Sequence, residues 1–290
     1  MQQPVRWEDE HYLSRNRIVL TAKQLQVPGV KVFAHHVMTC AISPLAPHYH
    51  ENCFEFTVIF DGVFSFHTDS QTYKVSGGNT FIAYPNEVHS TDEIPLSHGE
   101  FYWIQLNISS SRDFLFLDEQ AAECLIQKLY QMRHHTVKIR DKQHLDLIKA
   151  AFKLTTTPGS QYLISGYLVL FFNLLAENAA ASAPSLSWNI YRAVNYITDH
   201  VAQEITLDEL ARCSCLSVSQ FKSRFKQETG VSPRSYINMH KVELAKDMLR
   251  GGKSITETAF LLNFNTSSYF TAVFKKYTFF TPSDFMKQRT

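Results

Sequence analysis

Two stretches near the carboxyl end decide the reading of this 290-residue chain: ITLDELARCSCLSVSQFKSRFKQETGVSPRSYI at 205–237 and SITETAFLLNFNTSSYFTAVFKKYTFFTPSDFM at 254–286. Laid over each other with an offset of 49, Phe225-Lys226 falls on Phe274-Lys275 and Thr229 on Thr278. Ser232-Pro233 falls on Thr281-Pro282, Tyr236 on Phe285 and Phe221 on Phe270. With an offset of 48, Thr206-Leu-Asp-Glu-Leu-Ala211 matches Ser254-Ile-Thr-Glu-Thr-Ala259. Apolar type, cap and proline agree together, which marks one supersecondary unit present twice.

Each copy reads as two short helices around a tight turn. Thr206 with Glu209 and Ser254 with Glu257 are capping boxes, in which the hydroxyl serves an amide three residues on and the carboxylate returns the bond. Ser217 with Gln220 opens the second helix of the first copy, and Asn265 or Thr266 that of the second. There the aromatics stand four apart, Phe221 and Phe225, then Phe270 and Phe274. That spacing buries one stripe and leaves the opposite face polar. Ser232 as N-cap and Pro233 at the first position start a connecting helix that runs to about Arg250, where Gly251-Gly252 stop it. At about 17 residues it is roughly 25 Å long.

A helix, a turn and a second helix with a polar outer face is the arrangement that places side chains against base edges in the DNA major groove. Two such heads on a connector of that length suit successive major-groove segments about one turn apart. Charge agrees: residues 186–290 carry 14 Lys and Arg against 9 Asp and Glu, a net of +5, and the remainder has a net of −4. A basic module joined to an acidic one points to a polyanion partner for the former.

Residues 188–287 resemble the tandem helix-turn-helix DNA-binding domain of the AraC/XylS family of bacterial transcription regulators. The resemblance makes the second helix of each unit the recognition helix. It implies base-facing positions at Ser219, Lys222 and Ser223 in the first unit, and at Ser267, Ser268, Thr271 and Ala272 in the second. Phosphate contacts are implied for Arg224, Lys226, Lys275 and Lys276. Three departures stand out. Asn263 occupies a turn position where the family has Gly, and asparagine tolerates the left-handed conformation well enough for the turn to survive. Phe279 stands where the first copy has Gly230; an aromatic at positive φ is costly, so this helix end is expected to be remodelled. Ala272 offers little beyond a methyl contact to thymine.

The remainder is globular in composition, 44% hydrophobic and 19% charged, which excludes disordered, collagenous and coiled-coil classes. The N-terminus MQQPVRWEDEHYLSRN lacks the apolar core of a signal peptide. The longest apolar run, Tyr167 to Ala176, is interrupted by Asn173 and is short for a bilayer. Five cysteines, Cys40, Cys53, Cys124, Cys213 and Cys215, are few and odd in number, which fits no disulfide scaffold and suits the cytoplasm.

Residues 30–110 read as short strands separated by turns. Phe54–Phe60, Asp61-Gly62 and Val63–Phe66 form the strongest signal, an Asp-Gly hairpin between alternating segments. Gly77-Gly78, Pro85-Asn86 and Pro95 mark further turns. Within the strands lies His48-x-His50-x4-Glu55, followed by Pro85-x-x-x-His89. Two histidines at i and i+2 of a strand share a face, and a carboxylate and third histidine complete the donor types of a metal site. This segment resembles the first cupin motif, with an imperfect second motif at Pro85–His89. It implies a cupin-like β-barrel of the kind AraC-type sensor domains have. The residues leave two readings open: a cavity contacting a small-molecule effector, or a divalent metal held by His48, His50, Glu55 and His89. Phe56, Phe64, Phe66, Tyr84, Tyr102 and Trp103 are core by the usual partition of aromatics.

Ala122, Leu125, Ile126, Leu129 and Tyr130 follow helical spacing, and Leu145, Ile148 and Phe152 support a second helix. Residues 160–178 are apolar almost all round, so that helix requires burial on more than one side. Residues 178–185 (NAAASAPS) read as a flexible linker.

These readings combine into an α+β chain of two domains. Residues 1–110 form a cupin-like antiparallel β-barrel that senses an effector, 111–178 a helical connector and dimerisation region, 179–187 a linker, and 188–290 an all-α tandem helix-turn-helix domain. The function expected is a cytoplasmic, homodimeric, sequence-specific regulator of transcription. The family resemblance implies an activator that binds double-stranded DNA, meets RNA polymerase and answers to a small molecule, carbohydrates being one such class. No membrane association and no catalysis are expected. The alternative is a metal-dependent cupin enzyme using His48, His50, Glu55 and His89.

Overall fold

The computed structural model describes residues 4–68, 71–91, 94–132, 134–139, 141–180 and 186–287. Most of the linker read at 178–185 therefore lies outside the described residues. The first half holds β1 (Val5–Arg6), β2 (Tyr12–Leu13), β3 (Arg17–Thr21), α1 (Ala22–Leu25), β4 (Val30–Met38), β5 (His48–Tyr49), β6 (Cys53–Asp61), β7 (Val63–Thr68), β8 (Thr72–Ser76), β9 (Asn79–Ala83), β10 (His89–Ser90) and β11 (Gly99–Asn107). Then come α2 (Glu119–Gln131), β12 (Thr136–Lys138), α3 (Lys142–Leu154) and α4 (Gln161–Ala180). The second half is helical: α5 (Trp188–His200), α6 (Leu207–Cys213), α7 (Val218–Thr229), α8 (Pro233–Arg250), α9 (Ile255–Leu261), α10 (Ser267–Thr278) and α11 (Pro282–Lys287). The chain divides into two compact units, one of residues 1–37, 44–94 and 100–184, the other of 38–43, 95–99 and 185–290.

In the first unit the strands form two sheets, β1-β5-β10-β7-β8 and β12-β9-β6-β11-β4-β3-β2. The period-2 geometry of a strand sends alternate side chains to opposite faces. On β6, Phe54, Phe56 and Val58 join Tyr102, Ile104 and Leu106 of β11 in a core shared with α2, α3 and α4. Phe56 lies 4.7 Å from Phe172 of α4, centroid to centroid. The other face looks toward the second sheet, where Phe66 stacks on Phe81 at 4.2 Å and Phe64 meets Phe101 edge-on at 5.2 Å. Glu55 and Gln105 lie opposite each other in the β6–β11 register, on this same face.

The Asp61-Gly62 hairpin is not formed. β6 pairs with β9 and β11, and β7 pairs with β8 and β10. Gly62, at φ +98, instead carries the chain from one sheet into the other. A turn dipeptide fixes a change of direction; which strand it pairs with is decided by apolar surfaces far away in sequence.

Helices α2 and α3 bury the residues their spacing selects, Ala122, Leu125, Leu129, Ile148 and Phe152, with Ile126 and Leu145 half-buried. On α4 the burial is one-sided. Ile164, Leu168, Phe171, Phe172 and Leu175 enter the core, while Tyr162, Leu163 and Leu170 are exposed. By length and composition α4 would reach across a bilayer, a third of its most apolar window being buried. Its packing against the sheet is that of a core helix.

The helical unit has two separate apolar cores. Ile190, Ala193, Ile197, Leu210, Ala211, Phe221 and Phe225 form one, around α5, α6 and α7. Val242, Ala245, Leu249, Ala259, Leu262, Phe264, Phe270, Val273 and Phe274 form the other, around α8, α9 and α10. All four phenylalanines of the duplicated stripe are fully buried. α8 is 18 residues long, capped by the Ser232 hydroxyl with Pro233 in its first turn, and ends at Gly251 with Gly252 at φ +87. Its length is about 27 Å.

Candidate nucleic-acid interface and ligand cluster

The caps that start the duplicated helices are formed, with one difference between copies. Thr206 Oγ1 accepts from the Glu209 amide, and the Glu209 carboxylate accepts from the Thr206 amide. Ser217 and Gln220 repeat this reciprocal pattern. Ser254 accepts from the Glu257 amide, but the Glu257 carboxylate turns to Lys253 Nζ at 2.9 Å, so that box is half made. Thr266, not Asn265, caps α10.

Both turns place a residue at positive φ, Cys215 at +53 and Asn263 at +52. Asn263 therefore takes the conformation expected of it. Phe279 overturns its expectation: at φ +72 it matches Gly230 at +80, and the helix end is not remodelled. Its amide donates to the Lys275 carbonyl at 3.0 Å, as that of Gly230 does to Lys226 at 2.9 Å. The preceding threonine clamps each end. Thr229 Oγ1 donates to Phe225 O (2.7 Å) and lies 3.2 Å from Val231 O. Thr278 Oγ1 donates to Phe274 O (2.8 Å) and lies 2.9 Å from Phe280 O. A side-chain hydroxyl that donates to these carbonyls holds the backbone where steric preference alone would release it.

Opposite the buried stripes lie the candidate DNA contacts. Ser219, Lys222, Ser223, Arg224 and Lys226 on α7 are exposed, as are Ser268, Ala272, Lys275 and Lys276 on α10; Ser267 and Thr271 are half-buried. Arg224 and Thr271 are engaged within the fold. Arg224 Nε donates to Glu228 at 2.8 Å, and Thr271 Oγ1 donates to the Ser267 carbonyl at 2.9 Å. Sequence reasoning passed over Tyr269, exposed on α10, whose hydroxyl lies 3.1 Å from Arg234 on α8.

The first unit brings His48, His50, Glu55 and His89 together. His48 and His89 are Cα partners across β5 and β10, while Glu55 enters from the other sheet. All four are buried. Glu55 Oε2 lies 2.9 Å from His50 Nε2, and Glu55 Oε1 lies 3.5 Å from His89 Nε2. Burial alone would push the Glu55 carboxyl up, yet the charge and hydrogen bond of His50, helped by His89, hold it well below the usual range. Burial would likewise lower His50, but Glu55 raises it. Burial and the neighbouring His89 push His48 down to about 4. Sequence reasoning missed two members. Gln105 Nε2 donates to Glu55 Oε2 at 2.9 Å and to Asp9 Oδ2 at 2.7 Å. Burial, then the Glu55 charge, raises the Asp9 carboxyl. A glutamine inside the apolar run Trp103–Leu106 was a usable signal; nothing local marks Asp9. Glu87, between the Pro85 turn and His89, points elsewhere and meets His135 at 3.4 Å. All five cysteines are free.

Residues 43–171 match the family model of the AraC-like ligand binding domain, and 210–288 that of a helix-turn-helix domain. The chain is 23% identical over 270 residues to the HTH-type transcriptional activator RhaS of Klebsiella pneumoniae (strain 342), covering 89% of this chain and 95% of that protein. It is 25% identical over 257 residues to RhaS of Escherichia coli O139:H28, covering 84% and 88%. Among solved structures, ToxT from Vibrio cholerae aligns over 88% of this chain and 98% of its own at 12% identity, with a TM-score of 0.35. The C-terminal domain of AraT from Geobacillus stearothermophilus aligns over 37% of this chain and 90% of its own at 28% identity, with the same TM-score.

Proposed function

We propose that this AraC-family regulator, in which an AraC-like ligand binding domain precedes a helix-turn-helix domain, is a sequence-specific activator that reads DNA with two heads. The observation that carries the reading is the pair of helices α7 and α10, each burying two phenylalanines and exposing a polar face. Lys222 and the serines of α7 face base edges, with Ser267, Ser268, Thr271 and Ala272 of α10 in the second groove. Arg224, Lys226, Lys275 and Lys276 contact flanking phosphates. Activation, rather than repression, is supported by relatives named as transcriptional activators.

The β-rich domain is the sensor, a cupin-like barrel whose interior around His48, His50, Glu55 and His89 takes the small-molecule effector. The donors and acceptors of that cluster suit a hydroxylated molecule such as a carbohydrate. Occupancy changes operator affinity by shifting the population of DNA-competent states, and by linkage operator DNA changes effector affinity by the same factor. The protein acts in the cytoplasm as a homodimer that engages RNA polymerase; the exposed Tyr162, Leu163 and Leu170 of α4 supply apolar surface for a second copy. No observation favours the enzyme reading, since the relatives are named as regulators.

The test is selection of bound fragments from random duplex DNA, followed by titration of the selected site at several salt concentrations. Sequence-selective binding that weakens steeply with salt supports the reading, because each neutralised phosphate releases counterions. Failure to enrich any sequence sinks it.

A further inference from the structure

Two heads with separate cores keep one spacing only if something besides the connecting helix holds them together. A contact of that kind forms at Asn263, in the turn between α9 and α10, where the AraC/XylS pattern has glycine. At φ +52 glycine would serve the backbone at lower cost. What asparagine adds is a side-chain amide.

That amide reaches outside its own helix pair. Asn263 Nδ2 donates to Ala202 O at 3.2 Å, across 61 residues of sequence. A carbonyl only accepts, so the nitrogen is the atom that faces it. Ala202 follows the end of α5, a helix of the first core, and packs against the second core. The Asn263 carbonyl in turn accepts from Lys241 Nζ of α8 at 3.5 Å. Lys241 is 7% exposed, and its ammonium lies 5.3 Å from the centroid of the Phe264 ring. Burying such a charge is costly unless several groups meet it. Burial pushes the Lys241 ammonium down, and the charge of Glu204, from the same α5–α6 segment as Ala202, works the other way. The α5–α6 segment, the middle of α8 and the α9–α10 turn thus converge on one residue.

We propose that Asn263 is a positioning residue that fixes the spacing between the two heads. Its amide ties the α9–α10 turn to the α5–α6 segment, and its carbonyl holds that turn on Lys241 of the connecting helix. The consequence for DNA rests on the two-headed reading; the tie itself does not. α10 begins at Ser267, just beyond this turn, so any swing of the turn is carried into the helix that enters the second groove. B-DNA advances roughly 3.4 Å and turns about 35° per base pair. Heads held at one separation therefore discriminate against half-sites moved by a base pair, and heads that pivot do not.

Asn263→Gly tests the tie without spoiling the turn, because glycine takes positive φ freely. The distance between heads is read by double electron–electron resonance on the full-length protein free of DNA. Nitroxides carried on p-azidophenylalanine at the exposed Gln227 of α7 and Asn265 before α10 spare the five free cysteines. Wild type should give one narrow distance distribution, and Asn263→Gly a broader one. Asn263→Asp, which keeps the shape but sets an acceptor against the Ala202 carbonyl, should broaden it likewise. Circular dichroism establishes that each variant is folded. On the selected operator, moving one half-site by a base pair should cost wild type about tenfold in affinity and Asn263→Gly about threefold, a difference of the order one hydrogen bond supplies. A merely structural role would lower affinity equally at every spacing and leave that ratio unchanged. A distribution in folded Asn263→Gly as narrow as in wild type overturns the tie, and an unchanged spacing ratio overturns its role in positioning. Should no DNA be selected at all, the two-headed reading fails, and the distance distributions alone decide the tie.

Discussion

Helices α7 and α10 share a frame and differ in what they present. Both start at a hydroxyl cap, bury phenylalanines four apart and end at a positive-φ residue behind a clamping threonine. Yet α7 carries Lys222 in the middle of its exposed face, whereas α10 offers serine, threonine and alanine there and holds its cations, Lys275 and Lys276, in the last turn. The scaffold and the surface thus vary independently: the stripe that folds the helix does not dictate the face that meets a partner. Under the proposed reading the two helices are expected to contribute unequally to DNA binding, the first more by charge and hydrogen bonding, the second more by close fit.

The most damaging way to probe the comparison is through the stripes. Phe225→Ala and Phe274→Ala each remove a fully buried ring and should cost about 3–5 kcal/mol. Because the cores are separate, hydrogen exchange should show protection lost mainly in α5–α7 for the first variant and in α8–α10 for the second. Uniform loss across both would show that the heads form a single cooperative unit. Next in size are the surfaces. Lys222→Ala should weaken binding to the selected operator by ~1–3 kcal/mol in fluorescence anisotropy at fixed salt. Thr271→Ala should cost less than about 1 kcal/mol, since its hydroxyl already donates to Ser267 O. Equal losses would contradict the asymmetry.

Smaller still is the effect at the helix ends. Left-handed backbone costs a non-glycine residue roughly 1–2 kcal/mol, so Phe279→Gly should raise the melting temperature by a few degrees. A fall would mean that contacts of the phenyl ring outweigh the strain. Smallest is the difference between caps. Thr206→Ala, which dismantles a complete box, should destabilise by about 1 kcal/mol, and Ser254→Ala by less, since its box is half made. Chemical denaturation of the two variants side by side reads this difference.

What was legible in the sequence was what neighbouring residues decide. Caps at Thr206, Ser217 and Ser232, the stripe spacing and the Gly251-Gly252 stop each act within one helical turn, and the helices follow them. His48, His50, Glu55 and His89 could be grouped because strand alternation and residue type together are informative. Long-range pairing is not written locally. Asp61-Gly62 signals a turn but not that the turn leaves the sheet, and Asp9 joins the cluster from far away in sequence, accepting from Gln105, 96 residues on. The one-sided burial of α4 was equally hidden, because an apolar side chain does not say which neighbour covers it. Phe279 failed for another reason: steric preference was weighed without the Thr278 hydroxyl that holds the turn in place.

The unbroken course of α8 has a bearing on how this chain can tolerate change. One residue inserted in its middle advances everything beyond it by 1.5 Å and swings it by about 100°. Substitutions along its outer side leave the phase between the flanking cores intact; an insertion or deletion there resets it. Any length variant that survives would therefore have to add or remove residues in near-whole turns, or absorb the slip in the Gly251-Gly252 joint.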